Sequence, residues 1–159
     1  MFDIPIIYIF IAAFLLILFF LFIAFLKKEK FPYYSRETLL TPAELKFFHV
    51  LRSVVREKYA IAPKVRLADI INCDDRDWKK GYGPKISSKH IDFVLYDPED
   101  ARILLTIELD DKSHNLPHRR KRDAFVNKAL KTSNIPLLRV PVQKGYDLAA
   151  LDKEMRIFL

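Results

Sequence analysis

Glu108, Asp110 and Asp111 fall within four residues near the end of the stretch Ile103–His114, ILLTIELDDKSH, with Lys112 and His114 just behind them. The stretch starts as an apolar strand and runs into negative charge. Carboxylates are seldom buried without a partner. Asp92 interrupts a second apolar run upstream, KHIDFVLY. Acids grouped this way suit a hard dication. Mg2+ takes carboxylate, carbonyl and water oxygens and typically uses one or two protein carboxylates. The alternative partners are Lys and Arg, which are plentiful here, with the acids solvated or salt-bridged at strand ends.

The two apolar runs flank Asp97-Pro98-Glu99-Asp100, a turn composition, and so predict a β-hairpin with strands over 89–96 and 102–110. Alternation puts Ile91, Phe93 and Leu95 on one face and Asp92 on the other. Likewise Ile107 and Leu109 oppose Glu108 and Asp110. A turn centred near Asp100 sets Asp92 across from Glu108, about 5 Å away, where like charges destabilise. A cation held by Asp92, Glu108 and the backbone carbonyl of Leu109 offsets that repulsion.

The elements around the hairpin are legible too. Thr41, Pro42 and Glu44 form an N-cap, a first-position proline and a capping-box acid. They open a helix whose core face is Leu45, Phe48, Leu51, Val54 and Val55. A strand follows over 62–67. Residues 72–88 read as a polar loop, in which Trp78 and Tyr82 offer rings that could stack on bases. Behind the hairpin come a basic helix entered near Pro117, a strand in IPLLRVPV, and a closing helix capped by Asp147. The order is α-β-β-β-α-β-α, an α/β arrangement with a mixed sheet covered by helices.

Before this domain, 23 residues from Ile4 to Leu26 carry no charge. As a helix they reach roughly 34 Å, enough for a bilayer core of about 30 Å. A cleaved signal fits poorly, because the N-terminus lacks Lys and Arg and FIAFLKK has no small-residue cleavage pattern. The expected organisation is a transmembrane anchor over 4–26, a juxtamembrane linker over 27–40 and a domain over 41–159. Lys27, Lys28 and Lys30 follow the span and only Asp3 precedes it. The positive-inside rule then predicts a single-pass protein of the inner (cell) membrane, with its N-terminus out and its domain cytoplasmic. A lone Cys73 excludes a disulfide framework and a cysteine zinc site. All 27 basic residues lie after the span, against 19 of the 20 acidic ones, a formal +8 for that part. Such charge suits nucleic acid or an anionic surface.

An Asp on one hairpin strand followed by Glu-x-(Lys or a substitute) on the next resembles the PD-(D/E)xK nuclease superfamily, and within it the very-short-patch-repair-like branch. Closer is the resemblance to the bacterial domain of unknown function family DUF2726. It rests on the TPAE helix, KHIDFVL, IELDDKSH, the basic RRKRD helix start and IPLLRV, all present in order across Leu39 to Val142. This resemblance implies a restriction-endonuclease-like core and a Mg2+- or Mn2+-dependent nuclease acting on DNA, or on RNA. Asp92 and Glu108 then look like the metal pair, and Glu44 like an acid that reaches the metal through water. His114 is the candidate for handling a proton or a phosphate. Arg119, Arg120, Lys121 and Arg122, opening the basic helix, suit nucleic-acid phosphates. Asp110 departs from the pattern, standing where many relatives carry Lys; Lys112 is the candidate substitute. Two rival expectations are a degenerate nuclease fold that binds nucleic acid without cutting, and an anchored interaction module with no nucleic-acid role.

Overall fold

Thr41 starts the first helix of the folded unit as its sequence predicts. Its hydroxyl accepts the Glu44 N–H at 3.3 Å, and the Glu44 carboxylate accepts the Thr41 N–H at 2.9 Å. The computed structural model describes residues 5–26, 31–111 and 117–159. They fall into two units, Met1–Glu37 and Thr38–Leu159.

The first unit holds helix α1, Ile6–Leu26. It is apolar on every side, and its side chains are exposed from Ile6 to Phe25. Over Ile6–Phe25 its mean hydropathy is 3.2, making it long and apolar enough to cross a membrane.

The second unit is a mixed α/β fold. In chain order it contains α2 (Pro42–Val55), β1 (Ala60–Arg66), a 3-10 turn (Leu67–Asp69), α3 (Asp75–Lys79) and α4 (Tyr82–Ser87). Then come β2 (His90–Tyr96), β3 (Ile103–Asp110), α5 (Pro117–Thr132), β4 (Leu137–Pro141) and α6 (Leu148–Met155). The four strands form one sheet in the order β1-β2-β3-β4. The first two pairings are antiparallel and β3–β4 is parallel, with α5 as the crossover.

Two apolar clusters sandwich the sheet. One joins Phe47, Leu51 and Val55 of α2 and Leu151 and Met155 of α6 to Phe93, Leu95, Leu105, Ile107 and Leu109. The other joins Val126 and Leu130 of α5, with Leu67 and Ile86, to Ile91 and Val94. Ile91 was expected on the face of Phe93 and Leu95, but it packs in the opposite cluster. The cause lies next door: Lys64, across from Asp92 in the β1–β2 register, has a left-handed φ of 55°. Both strands change face at this step, since Ile61 packs with the first cluster and Val65 with the second.

Two further expectations are corrected. On α2, Phe47 is fully buried, whereas Leu45 is 46% exposed. Phe48, Leu51, Val54 and Val55 pack in the core as expected, and Phe47 takes the place of Leu45; the spacing 44, 47, 48, 51, 55 puts Glu44 on the core-facing side. Residues 72–88 are not a plain loop but carry α3 and α4. The Trp78 indole lies over Gly83, where an added Cβ would sit 2.2 Å from the ring, and Ile86 is buried beneath.

Candidate functional site

The hairpin ladder has the expected register, with Phe93 opposite Ile107, Val94 opposite Thr106 and Leu95 opposite Leu105. Pairing stops at Phe93–Ile107. In place of one more ladder step, the Asp92 carboxylate enters the opening and accepts the Leu109 N–H at 2.9 Å. Asp92 thus lies at the end of the β2–β3 ladder, between the two covering layers. Beyond it, β3 goes on pairing with β4 as far as Asp110–Pro141.

On the α2 side, the other Asp92 oxygen lies 3.5 Å from the Lys64 ammonium. Lys64 also pairs with Glu44. Burial pushes the Glu44 carboxyl up. The Lys64 ammonium and the hydrogen bonds at the Thr41 cap outweigh it and hold Glu44 below its ordinary range.

On the α5 side, Glu108 is 1% exposed and faces Arg122, which reaches both its oxygens at 3.3 Å. Arg122 is fixed further by the His90 carbonyl at 2.9 Å and Asp123 at 3.2 Å. Burial raises the Glu108 carboxyl; Arg122 pulls it down, the Asp92 charge pushes it up, and the net direction is upward. That Asp92 charge acts on both Glu108 and Arg122, so the two sides form one electrostatic group. Asp110 shares the Glu108 face, as alternation requires, and takes Arg139 at 2.6 Å. Arg139 in turn holds Asn127 and approaches Asp123 at 3.7 Å.

The residues expected to form a site are therefore only partly brought together. Asp92 shares Lys64 with Glu44 on the α2 side, and its charge reaches Glu108 on the α5 side. Asp110 sits on the Arg139 network, which joins the centre through Asp123 and through the Arg139 charge acting on Glu108. Of the basic helix start, Arg120 and Lys121 are exposed, while Arg122 turns inward as the partner of Glu108 rather than facing outward to a phosphate. Lys112, His114 and the Arg119 side chain lie outside the described residues. The residue that sequence reasoning missed is Lys64. Its signal was a charge inside the apolar strand AIAPKVRL, next to a proline.

Among the described residues, no three His, Cys, Asp or Glu side chains form a metal-holding group. Two carboxylates and the Leu109 carbonyl are a hard, all-oxygen set of the kind Mg2+ accepts when water fills its remaining positions. Lys64 and Arg122 are the cations it would have to displace. Their contacts to Asp92 and Glu108, at 3.3–3.5 Å, are longer than the roughly 2.7–2.9 Å of a tight charged hydrogen bond. The donor set thus suits a dication in type.

A family model described as a protein of unknown function, DUF2726, matches residues 36–157. The chain belongs to the DUF2726 family. No curated protein and no solved structure matches it. The DUF2726 match takes in every element from α2 to α6, and with them Glu44, Lys64, Asp92, Glu108 and Arg122; α1 lies outside it.

Proposed function

We propose that the DUF2726 unit is a nuclease-like domain of the PD-(D/E)xK, restriction-endonuclease-like class. It hydrolyses phosphodiester bonds, of DNA before RNA, with Mg2+ or Mn2+. The observation that carries this reading is Lys64. Its left-handed φ costs a non-glycine residue about 1–2 kcal/mol, and such strain concentrates at working sites. Here it brings an ammonium between Glu44 and Asp92. The sheet thus supplies from β1 the cation that Asp110 fails to supply from β3.

Asp92 and Glu108 would hold the ion, with the Leu109 carbonyl beside them and Glu44 behind Lys64. When bound, the dication supplies a more acidic water and neutralises charge at the phosphate. With Asp92 engaged by the ion, Lys64, still paired with Glu44, would donate a hydrogen bond to a non-bridging phosphate oxygen. Glu44 holds the ammonium in place. Burial raises the Glu108 carboxyl and the nearby Arg122 charge draws it back down, and the Asp92–Leu109 N–H bond fixes the orientation of Asp92. A cytoplasmic domain behind a single N-terminal anchor, as the lysines at 27, 28 and 30 favour, meets nucleic acid in the compartment that holds it.

The test is cleavage of DNA and RNA by the full chain in detergent micelles with Mg2+ or Mn2+. Lys64→Met abolishes the reaction and Lys64→Arg retains part of it. A Lys64→Met protein that cuts like the wild type contradicts the assignment. A second reading, a domain that binds nucleic acid without cutting, is favoured by one observation: Lys64 and Arg122 already neutralise both acids. It predicts binding without metal-dependent cleavage.

A further inference from the structure

One turn along α5 from Arg122, Phe125 forms a wall of a groove about 360 Å³ in volume, closed on its other side by α4 and the segment before α3. The walls are apolar, from Ile71, Ile86, Phe125 and Ala129, and among the described residues no acidic one lines them. The rim is basic and aromatic. The Lys85 ammonium lies 4.9 Å from the Tyr82 ring centre, and the Lys89 ammonium 4.6 Å from that of Phe125. Lys128 adds a third amine on the α5 side. Tyr82 is 52% exposed, so its ring is open to a partner.

Resting on the nuclease reading, we propose that this groove takes unstacked bases of a single-stranded nucleic acid and guides the strand to the Asp92–Glu108 centre. Each ring has its own ammonium, so a base face and its phosphate meet an aromatic surface and a cation together. A duplex presents phosphates and base edges but no free base faces, and so could use the lysines but not the ring or the apolar walls. Positive charge is crowded here. Burial lowers the Lys89 amine, and the Arg122 and Lys85 charges lower it further; a polyanion relieves that repulsion. Arg122, the partner of Glu108, lies one turn before the Phe125 wall on α5 and binds the His90 carbonyl, one residue beyond Lys89.

The experiment is fluorescence anisotropy on the full chain in detergent, with EDTA present. It compares a labelled oligo-dT with a duplex of equal length across a salt series. The variants are Tyr82→Ala, Lys85→Gln and Lys128→Gln, all at exposed positions away from the acids, with circular dichroism melts to confirm folding. The wild type binds the single strand more tightly. Tyr82→Ala weakens that binding roughly tenfold and leaves duplex binding unchanged. Each lysine variant lowers the salt slope by about 0.7. Wild-type binding that all three variants retain unchanged overturns the groove while leaving the nuclease reading standing. Equal binding of duplex and single strand, with Tyr82→Ala silent, overturns the single-strand assignment. Displacement by poly-glutamate at equal charge, again with Tyr82→Ala silent, assigns the groove to an acidic protein instead. No binding of either nucleic acid overturns both the groove and the reading it rests on.

Discussion

At the scale of single residues, the centre consists of acids that each have a cation. Glu108 is the most demanding, since its side chain is 2% exposed and its partner Arg122 is 34% exposed. Removing one member of a buried pair costs about 3–5 kcal/mol; Arg122's exposure puts Arg122→Met near the lower end, about 3 kcal/mol, read by urea denaturation. The pH dependence has a definite sign. Glu108 has its carboxyl raised on folding, so its contribution is fully present below the unfolded value and is lost as pH rises through the folded one. Without Arg122 the carboxyl rises further. The deficit of Arg122→Met therefore shrinks as pH falls toward 4 and grows toward neutrality, and a deficit independent of pH contradicts the pairing. Glu44 has the opposite sign. Its carboxyl is lowered on folding, so its contribution is present above the unfolded value and is lost as pH falls through the lowered one.

At the scale of elements, α2, the hairpin and α5 position the acids. The α2 cap is the simplest to test: Thr41→Ala removes an accepted N–H and lowers stability by about 1 kcal/mol. It also frees the first turn that carries Glu44, so a thermal melt should move while the sheet persists. Gly83→Ala is harsher, because its Cβ would meet the Trp78 ring. Overpacking of this kind costs about 1–3 kcal/mol, and an unchanged melting curve for Gly83→Ala contradicts the α3–α4 packing. Much of this scale was legible in the sequence. The capping box, the DPED hairpin and its register, the basic helix and the Asp147 cap all follow from local signals. The face change at Lys64 and Asp92 was not legible. Alternation assumes a regular strand, and nothing local announces a left-handed lysine. The short helices α3 and α4 were hidden for a related reason. Their stability comes from Trp78 packing on Gly83 and from Ile86 in the core, whereas their composition is that of a loop. At the site, the hairpin register that brings Asp92 beside β3 was legible from strand counting. The cations that neutralise them come from β1 and α5, and pairing across elements needs the fold.

At the scale of the whole molecule, an apolar helix of membrane-crossing length precedes a DUF2726 unit. The charge asymmetry around that helix predicts that a C-terminal fluorescent-protein fusion glows in the cytoplasm, and that the matching alkaline phosphatase fusion is inactive. Reversed signals contradict the proposed orientation. The net basic charge predicts nucleic-acid binding that weakens steeply with salt. A bound dication must stabilise the native state, by about 2.7 kcal/mol at a hundredfold excess over its Kd.

The most direct test of the central claim is cleavage of mixed DNA and RNA by the full chain with Mg2+ or Mn2+, alongside Asp92→Asn and Glu108→Gln. These two substitutions keep the side-chain shape and remove the charge. The proposed mechanism predicts cleavage that requires the metal and disappears in both variants, while salt-sensitive binding persists. No cleavage by the wild type under any metal, or cleavage that survives both substitutions, contradicts it.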